Sequence, residues 1–274
     1  MNHDLLSTLS IPQMDQFHEY PDPCVNNRYY HHRKAQIVST FIQKYANPSH
    51  TLLDAGAGRG PYSAFAAPLY KSVYMFEFDA SELEHAKKHT KNISNIHGEA
   101  VDLRQIPLGD AMVDVCICSE VLEHIPNHEK AVSELFRTLT PNGVALVSIP
   151  NAFSLFYIKV RFGKRHRELL TRLAQRDTNV FSTPEESGLS YLEWEMIRHI
   201  SFPFWKTKAL LKKAGFTIIA SQGANIVPMP YRVRSFLLKK FPIGFKVWIG
   251  IDSALGKIFP FLGSFYFLTL KKLP

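Results

Sequence analysis

TLLDAGAGRGPYSAFAAPLY, residues 51–70, decides how this chain folds. It opens on a short apolar run over 51–55 that suits a strand and carries one acid, Asp54. Gly56, Gly58 and Gly60 follow within five residues, and PYSAFAAPLY then begins a helix with Pro61 near its first position. Proline is tolerated there because the first helical N–H has no intrahelical partner to lose. Strand, glycine turn and helix are the opening of a βαβ unit, and glycine lets a backbone approach a ligand with no Cβ in the way. A dinucleotide fingerprint, G-x-G-x-x-G, would need its third glycine at position 61, where Pro stands; here that glycine is Gly60. Asp54 would repel a diphosphate. It suits a ligand that carries an ammonium group.

The pattern outward from this turn alternates. HHRKAQIVSTFIQKYA (31–46) reads as an amphipathic helix, SVYMFEF (72–78) as a strand and ASELEHAKKHT (80–90) as a helix. A short strand is expected within 92–98 and a buried one at VDVCICS (113–119). NHEKAVSELFRTL (127–139) predicts a helix, Thr140-Pro141-Asn142-Gly143 a turn and 143–150 a strand. After Asn151 the alternation lapses. It resumes with WKTKALLKKAGF (205–216) as a helix, TIIASQ (217–222) as a strand and GSFYFLTLKK (263–272) as the last strand. The expectation is an α/β fold: a Rossmann-like, doubly wound, mostly parallel seven-stranded sheet with helical cap insertions. Ligands of such sheets bind at the carboxyl edge, where the strand order switches. Glu77, at the end of the second strand, can there accept hydrogen bonds from both hydroxyls of a ribose, and would serve NAD equally well.

With 274 residues, 46% of them hydrophobic, the chain can bury a sizeable core. MNHDLLSTLS has neither a basic start nor a long apolar run, so no secretory signal is expected. The cysteines are Cys24, Cys116 and Cys118, without zinc or disulfide spacing, which favours a reducing, cytoplasmic setting. The net charge of +8 is concentrated in two clusters, 159–176 and 231–240. Such clusters fit an anionic partner or, equally, a solvated basic surface.

The residues around the glycine turn resemble motif I of the class I S-adenosylmethionine-dependent methyltransferases. The resemblance covers about 50–150 closely and 199–220 loosely. It continues through Glu77-Phe78-Asp79 with Leu83 and Ala86, through Asp102-Leu103-Arg104-Gln105-Ile106-Pro107-Leu108 and Val113-Asp114, and through AVSELFRTLTPNGVALVSIPN (131–151). It implies S-adenosyl-L-methionine as cofactor, cradled by Asp54, Gly56, Ala57, Gly58 and Gly60. Glu77 becomes the ribose ligand, with Phe78 beside it and Asp79 as a helix N-cap; a rival register makes Asp79 the ribose ligand. Asp102 would accept from the adenine amino group, with Glu99 as the alternative acid, and the Leu103 N–H would meet the ring. Cys118 and Ser119 would line the cofactor through their backbone. Arg33 resembles the family's N-terminal Tyr and Arg that close over the methionine carboxylate; its plain reading is a helix-surface arginine.

The family chemistry is an in-line displacement at an activated methyl group, so a base is needed only if the acceptor must lose a proton. SEVLEHIP (119–126) sits at that position. If it were helical, Glu120, Glu123 and His124 would share one face. His124 is the candidate catalytic base, since imidazole titrates near neutrality. A second reading is a divalent-cation claw completed by His128 or His199, resembling Glu-x-x-Glu-His runs in ubiquinone-pathway O-methyltransferases and small-RNA 2′-O-methyltransferases. A third is structural, and no metal is assigned.

The expected organisation is an N-terminal helical segment closing over the cofactor (1–50), a cofactor-binding core (51–151), a cap that selects substrate (152–204), and a completion of the sheet (205–274) with a helical insert at 224–262. The segment 231–262 is too broken by Lys246, Asp252 and Lys257 to span a bilayer. It could lie peripherally on a membrane, roof a greasy pocket, or pack on the sheet. The expected activity is methylation, at oxygen, of a small or lipid-linked acceptor. The rivals are an RNA 2′-O-methyltransferase and a non-catalytic S-adenosylmethionine-binding protein; DNA is not expected as a partner.

Overall fold

The computed structural model describes residues 25–151, Ser154, 203–227, Val233, Phe236, Leu237 and 240–274. Nearly all of the expected cap at 152–204, with His199, lies outside the described residues, as do 1–24 and part of 224–262.

Seven strands form one sheet in the order β3-β2-β1-β4-β5-β7-β6. They are β1 (Asn47–Ala55), β2 (Tyr70–Glu77), β3 (Ile96–Ala100), β4 (Val113–Ser119), β5 (Leu139–Pro150), β6 (Phe216–Ala224) and β7 (Phe265–Lys272). All neighbours are parallel except β7, which runs antiparallel to both β5 and β6. The described helices are α1 (Val25–Lys44), α2 (Pro61–Ala66), α3 (Ala80–Thr90), α4 (His128–Thr138), α5 (Phe204–Lys213) and α6 (Pro242–Ile258).

The period of two along the central strands makes the sheet two-sided. Leu52, Val115, Ile117, Val144 and Leu146 face one layer, where α1 contributes Ala35, Val38, Phe41 and Ile42. Leu53, Ala55, Cys116, Cys118, Ala145 and Val147 face the other, where α4 contributes Ala131, Val132 and Leu135. Each fully buried Leu or Ile of these layers contributes about 1.5–3 kcal/mol relative to exposure.

Three elements differ from the sequence expectation. The helix after the glycine turn ends at Ala66, and Ala67–Leu69, with Pro68 inside, tightens into a 3₁₀ turn that delivers the chain to β2. α1 starts at Val25 rather than at 31. The expected turn at 140–143 lies within β5 as a bulge: Val113 pairs with Leu139 and Val115 already with Val144. Asn142 takes a positive φ of 69° there. Asp114 pins this bulge to β1, accepting from the Thr51 N–H at 2.9 Å and from the Thr140 hydroxyl at 3.2 Å.

Candidate active site

The strand order reverses between β1 and β4, and the carboxyl ends of these two strands open into a cavity of about 480 Å³. Its volume is that of a small-molecule site.

One wall is the glycine turn. Gly56 has φ +79°, and its N–H and that of Ala57 both donate to the Phe76 carbonyl, at 2.8 and 2.9 Å. A Cβ on Gly56 would lie 2.4 Å from the Val121 side chain, so the turn packs directly against the segment that follows β4. Gly58 has φ +54°, and a Cβ there would enter open space. Its N–H donates to Glu77 Oε2 at 2.7 Å, while the Asp79 N–H donates to Glu77 Oε1 at 3.0 Å. Two N–H donors leave further lone pairs on Glu77 for other donors. Asp79 caps α3, accepting from the Ser81 and Glu82 N–H groups, which is the role the first of the two registers assigned it. Phe78, 74% exposed, presents its ring at the rim.

Asp54 lies buried at the floor and accepts from the Ser63 hydroxyl at 2.7 Å. Burial raises its carboxyl to about 7, and the nearby Glu77 pushes in the same direction. A cationic ligand there would restore the ionised form. Asp102 and Leu103 line the far end. Asp102 is gripped by the Arg104 guanidinium, with the closest contact at 2.7 Å, and these bonds hold its carboxyl below the ordinary range.

The opposite wall runs from Ser119 to Pro126. The Ser119 hydroxyl meets that of Ser148 at 2.8 Å. Glu120 takes a left-handed φ of 59°, its N–H donating to the Ser148 carbonyl, and its carboxylate accepts from Lys34 Nζ at 2.7 Å. Leu122–His124 form a 3₁₀ turn. The one-face geometry expected for Glu120, Glu123 and His124 therefore does not form: Glu120 pairs with Lys34, the Glu123 side chain is buried, and His124 lines the cavity with its Nε2 3.9 Å from Glu123. Among the described residues no group of three or more His, Cys, Asp and Glu is gathered as a metal site. His128 is not among the lining residues, and burial lowers its pKa.

Of the remaining cofactor candidates, Gly60 packs on Met75 and Ala86 behind the turn, and Cys118 is a core residue whose thiol burial keeps protonated. Neither lines the cavity. Arg33 does not line it either: its guanidinium reaches Ser253 Oγ of α6 at 2.6 Å and Gln36 Oε1 at 2.5 Å. The next residue, Lys34, lines the cavity instead. Burial pulls the Lys34 ammonium down to about 8, opposed by the Glu123 charge. Sequence reading missed Lys34, Arg59, Tyr62 and Arg104 as lining residues. A signal for Lys34 existed: Lys34, Val38 and Ile42 fall at i, i+4 and i+8, one stripe of α1, and the latter two are fully buried.

These residues fit a nucleoside with a cationic arm. The open space at Gly58 accepts close approach, Glu77 has lone pairs for vicinal hydroxyls, and a cation would favour the ionised form of the buried Asp54, whose pKa burial raises to about 7. A profile of the family described as "Methyltransferase domain" matches residues 53–147. A protein of Mycolicibacterium smegmatis described as a probable S-adenosylmethionine-dependent methyltransferase is 36% identical over 100 residues, 36% of this chain and 38% of that one. The ubiquinone biosynthesis O-methyltransferase of Rickettsia prowazekii is 27% identical over 161 residues, 57% of this chain and 61% of that one. The matched stretch thus spans less than two thirds of either relative. The fold is also that of a crystallised S-adenosylmethionine-dependent methyltransferase from Aquifex aeolicus, with a TM-score of 0.53 at 12% identity, covering 95% of this chain and 98% of that one.

Proposed function

We propose, on the premise that residues 53–147 are a class I S-adenosylmethionine-dependent methyltransferase domain, that the chain transfers a methyl group to an oxygen of a small or lipid-linked acceptor. The supporting observation is a single cavity that joins Gly56–Gly58, Glu77 and Asp102 on one side to Ser119–Pro126 on the other. The choice of oxygen is supported by the relative named as a ubiquinone biosynthesis O-methyltransferase.

The bound cofactor would supply a sulfonium methyl already activated for in-line displacement. The protein's work is then positioning and exclusion of water. Glu77 would hold the ribose hydroxyls on its remaining lone pairs, and Asp102, fixed by Arg104, the adenine amino group. Phe78 offers its ring face. Asp54, in the ionised form that a cation favours, would hold the ammonium group. His124 stands on the acceptor side and would take the hydroxyl proton as the new C–O bond forms.

Calorimetry with S-adenosylhomocysteine should show binding that Gly58→Val abolishes, because a side chain there enters the ligand's space and strains the turn. Transfer of labelled methyl into a cell extract, split into RNA, lipid and small-molecule fractions, should label the lipid or small-molecule fraction. His124→Ala should cut that transfer by roughly 10²–10⁴-fold while binding persists. No S-adenosylhomocysteine binding by the wild type would refute the whole reading. The second reading, an RNA 2′-O-methyltransferase, is favoured by the +8 charge and would put the label in RNA. Binding without transfer to any fraction would leave a non-catalytic S-adenosylmethionine-binding protein.

A further inference from the structure

Helix α6 carries two apolar faces. The inner one, with Phe245, Trp248 and Ile249, packs beside β6. The outer one is Ile243, Val247, Ile251 and Ile258, between 51% and 78% exposed. At about 100° per residue these four fall within roughly 80° of arc, opposite the buried face. Ala254 is exposed on the same stripe. Lys246 and Lys257 flank it on one side, and exposed Phe241, Phe259 and Phe261 stand at its ends.

The charges are one-sided. Between Ile226 and Pro274 the chain has a single acid, Asp252, against eight Lys and Arg. Asp252 is fully buried and accepts from the N–H groups of Asn225, Ile226 and Val227 at 2.8–3.0 Å. Among the described residues of α6 the outer face is therefore apolar, its charged flank is the cationic pair Lys246 and Lys257, and the helix's one acid is turned inward.

We propose that this face docks on an anionic phospholipid surface. A bilayer interface takes aliphatic and aromatic side chains into its acyl boundary while anionic headgroups meet lysines at the rim. A polynucleotide would leave the aliphatic stripe in water, and a second copy of the chain would bring two cationic rims together. No described helix is long and apolar enough to cross a membrane, so the helix lies along the surface. The docking stands without the methyl-transfer reading. Resting on that reading is its consequence: Ser253 of α6 accepts from Arg33 of α1, whose next residue, Lys34, lines the cavity, so α1 joins the docking helix to the wall of the site.

The test is co-sedimentation of the full chain with vesicles of phosphatidylcholine alone or with phosphatidylglycerol. The protein should sediment with the anionic vesicles, much less with the neutral ones, and less as salt rises. Val247→Glu with Ile251→Glu should lower the partition at least about tenfold. Lys246→Ala should lower it about fivefold. Near-UV circular dichroism checks that the variants fold. Several results overturn the proposal: no sedimentation of the wild type, equal sedimentation with neutral vesicles at all salt concentrations, sedimentation by folded variants at the wild-type level, or a dimer in place of vesicle binding that the paired substitution dissolves. Vesicle binding by a protein that fails to bind S-adenosylhomocysteine would sustain the docking face and remove the methyl-transfer reading alone.

Discussion

At the scale of single residues, Asp54 is the most informative group. Its identity and place before the glycines were readable in sequence, but its protonation was not, because that depends on burial and on the distance to Glu77. With the carboxyl raised to about 7, folded Asp54 keeps a proton that an unfolded Asp has lost from about pH 4 upward. Its contribution to stability therefore falls as pH rises from about 4 to 7 and is level above that. The urea-unfolding free energy of Asp54→Asn should lack this component when compared with the wild type. A cationic ligand reverses the sense, since it binds the ionised form. S-adenosylmethionine affinity should be about tenfold weaker near pH 6 than near pH 8, and this slope should vanish in Asp54→Asn. A flat wild-type profile would show that Asp54 does not meet the ammonium group. Arg33 and Lys34 teach a related lesson. The resemblance pointed to Arg33, whereas Lys34 is the α1 residue that lines the cavity, because one residue is about 100° of helix rotation, and that rotation sends Arg33 to α6 and Lys34 to Glu120.

At the scale of elements, strands and long helices were legible because their signal is local: apolar residues recur with period two or 3.6 and stop at Gly, Pro or Asn. Failures came where a distant partner outweighs local preference. The Ser119–Pro126 segment has helical spacing, yet the Ser148 carbonyl of β5 captures the Glu120 N–H and forces a left-handed residue before any helix can start. Likewise Thr140–Gly143 has turn chemistry, yet β4 pairs on either side of it, so it becomes a bulge. α6 is joined to the end of β6 through Asp252. Asp252→Ala would leave three backbone N–H groups without their acceptor, at a cost of about 3 kcal/mol or more. Asp252→Asn, which retains one carbonyl oxygen, should recover part of it. Urea denaturation measures both, and an Asp252→Ala variant as stable as wild type would show the helix is held by its apolar contacts alone.

At the scale of the whole molecule, the cavity is assembled from β1, β2 and β4 with α1, elements far apart in sequence. A ligand bound there ties them together. S-adenosylhomocysteine at about 100 times its dissociation constant should stabilise the fold by roughly 2.7 kcal/mol and raise Tm by about 5–10 °C. Gly58→Val should fold with no such shift. An unshifted wild-type Tm at saturating ligand would mean that the cavity does not close on it. The order β3-β2-β1-β4-β5-β7-β6, with β7 reversed between β5 and β6, also belongs to this scale. Alternation alone implied a parallel sheet, whereas the position of the last strand follows from long-range pairing.

The amino-acid sequence by itself determined the strand–glycine-turn–helix opening, the two-layered apolar pattern, and the acids Asp54, Glu77 and Asp102 that recur around one site. Periodicity, backbone freedom and residue chemistry are properties of neighbours along the chain, so they can be read there. Only the tertiary structure decided that burial raises the Asp54 carboxyl to about 7, that Lys34 rather than Arg33 lines the cavity, that Glu120 turns to Lys34 while Glu123 is buried beside His124, and that the one acid after Ile226 turns inward on α6. Desolvation, hydrogen bonding and charge pairing act through space, over distances set by the packed sheet rather than by the order of residues.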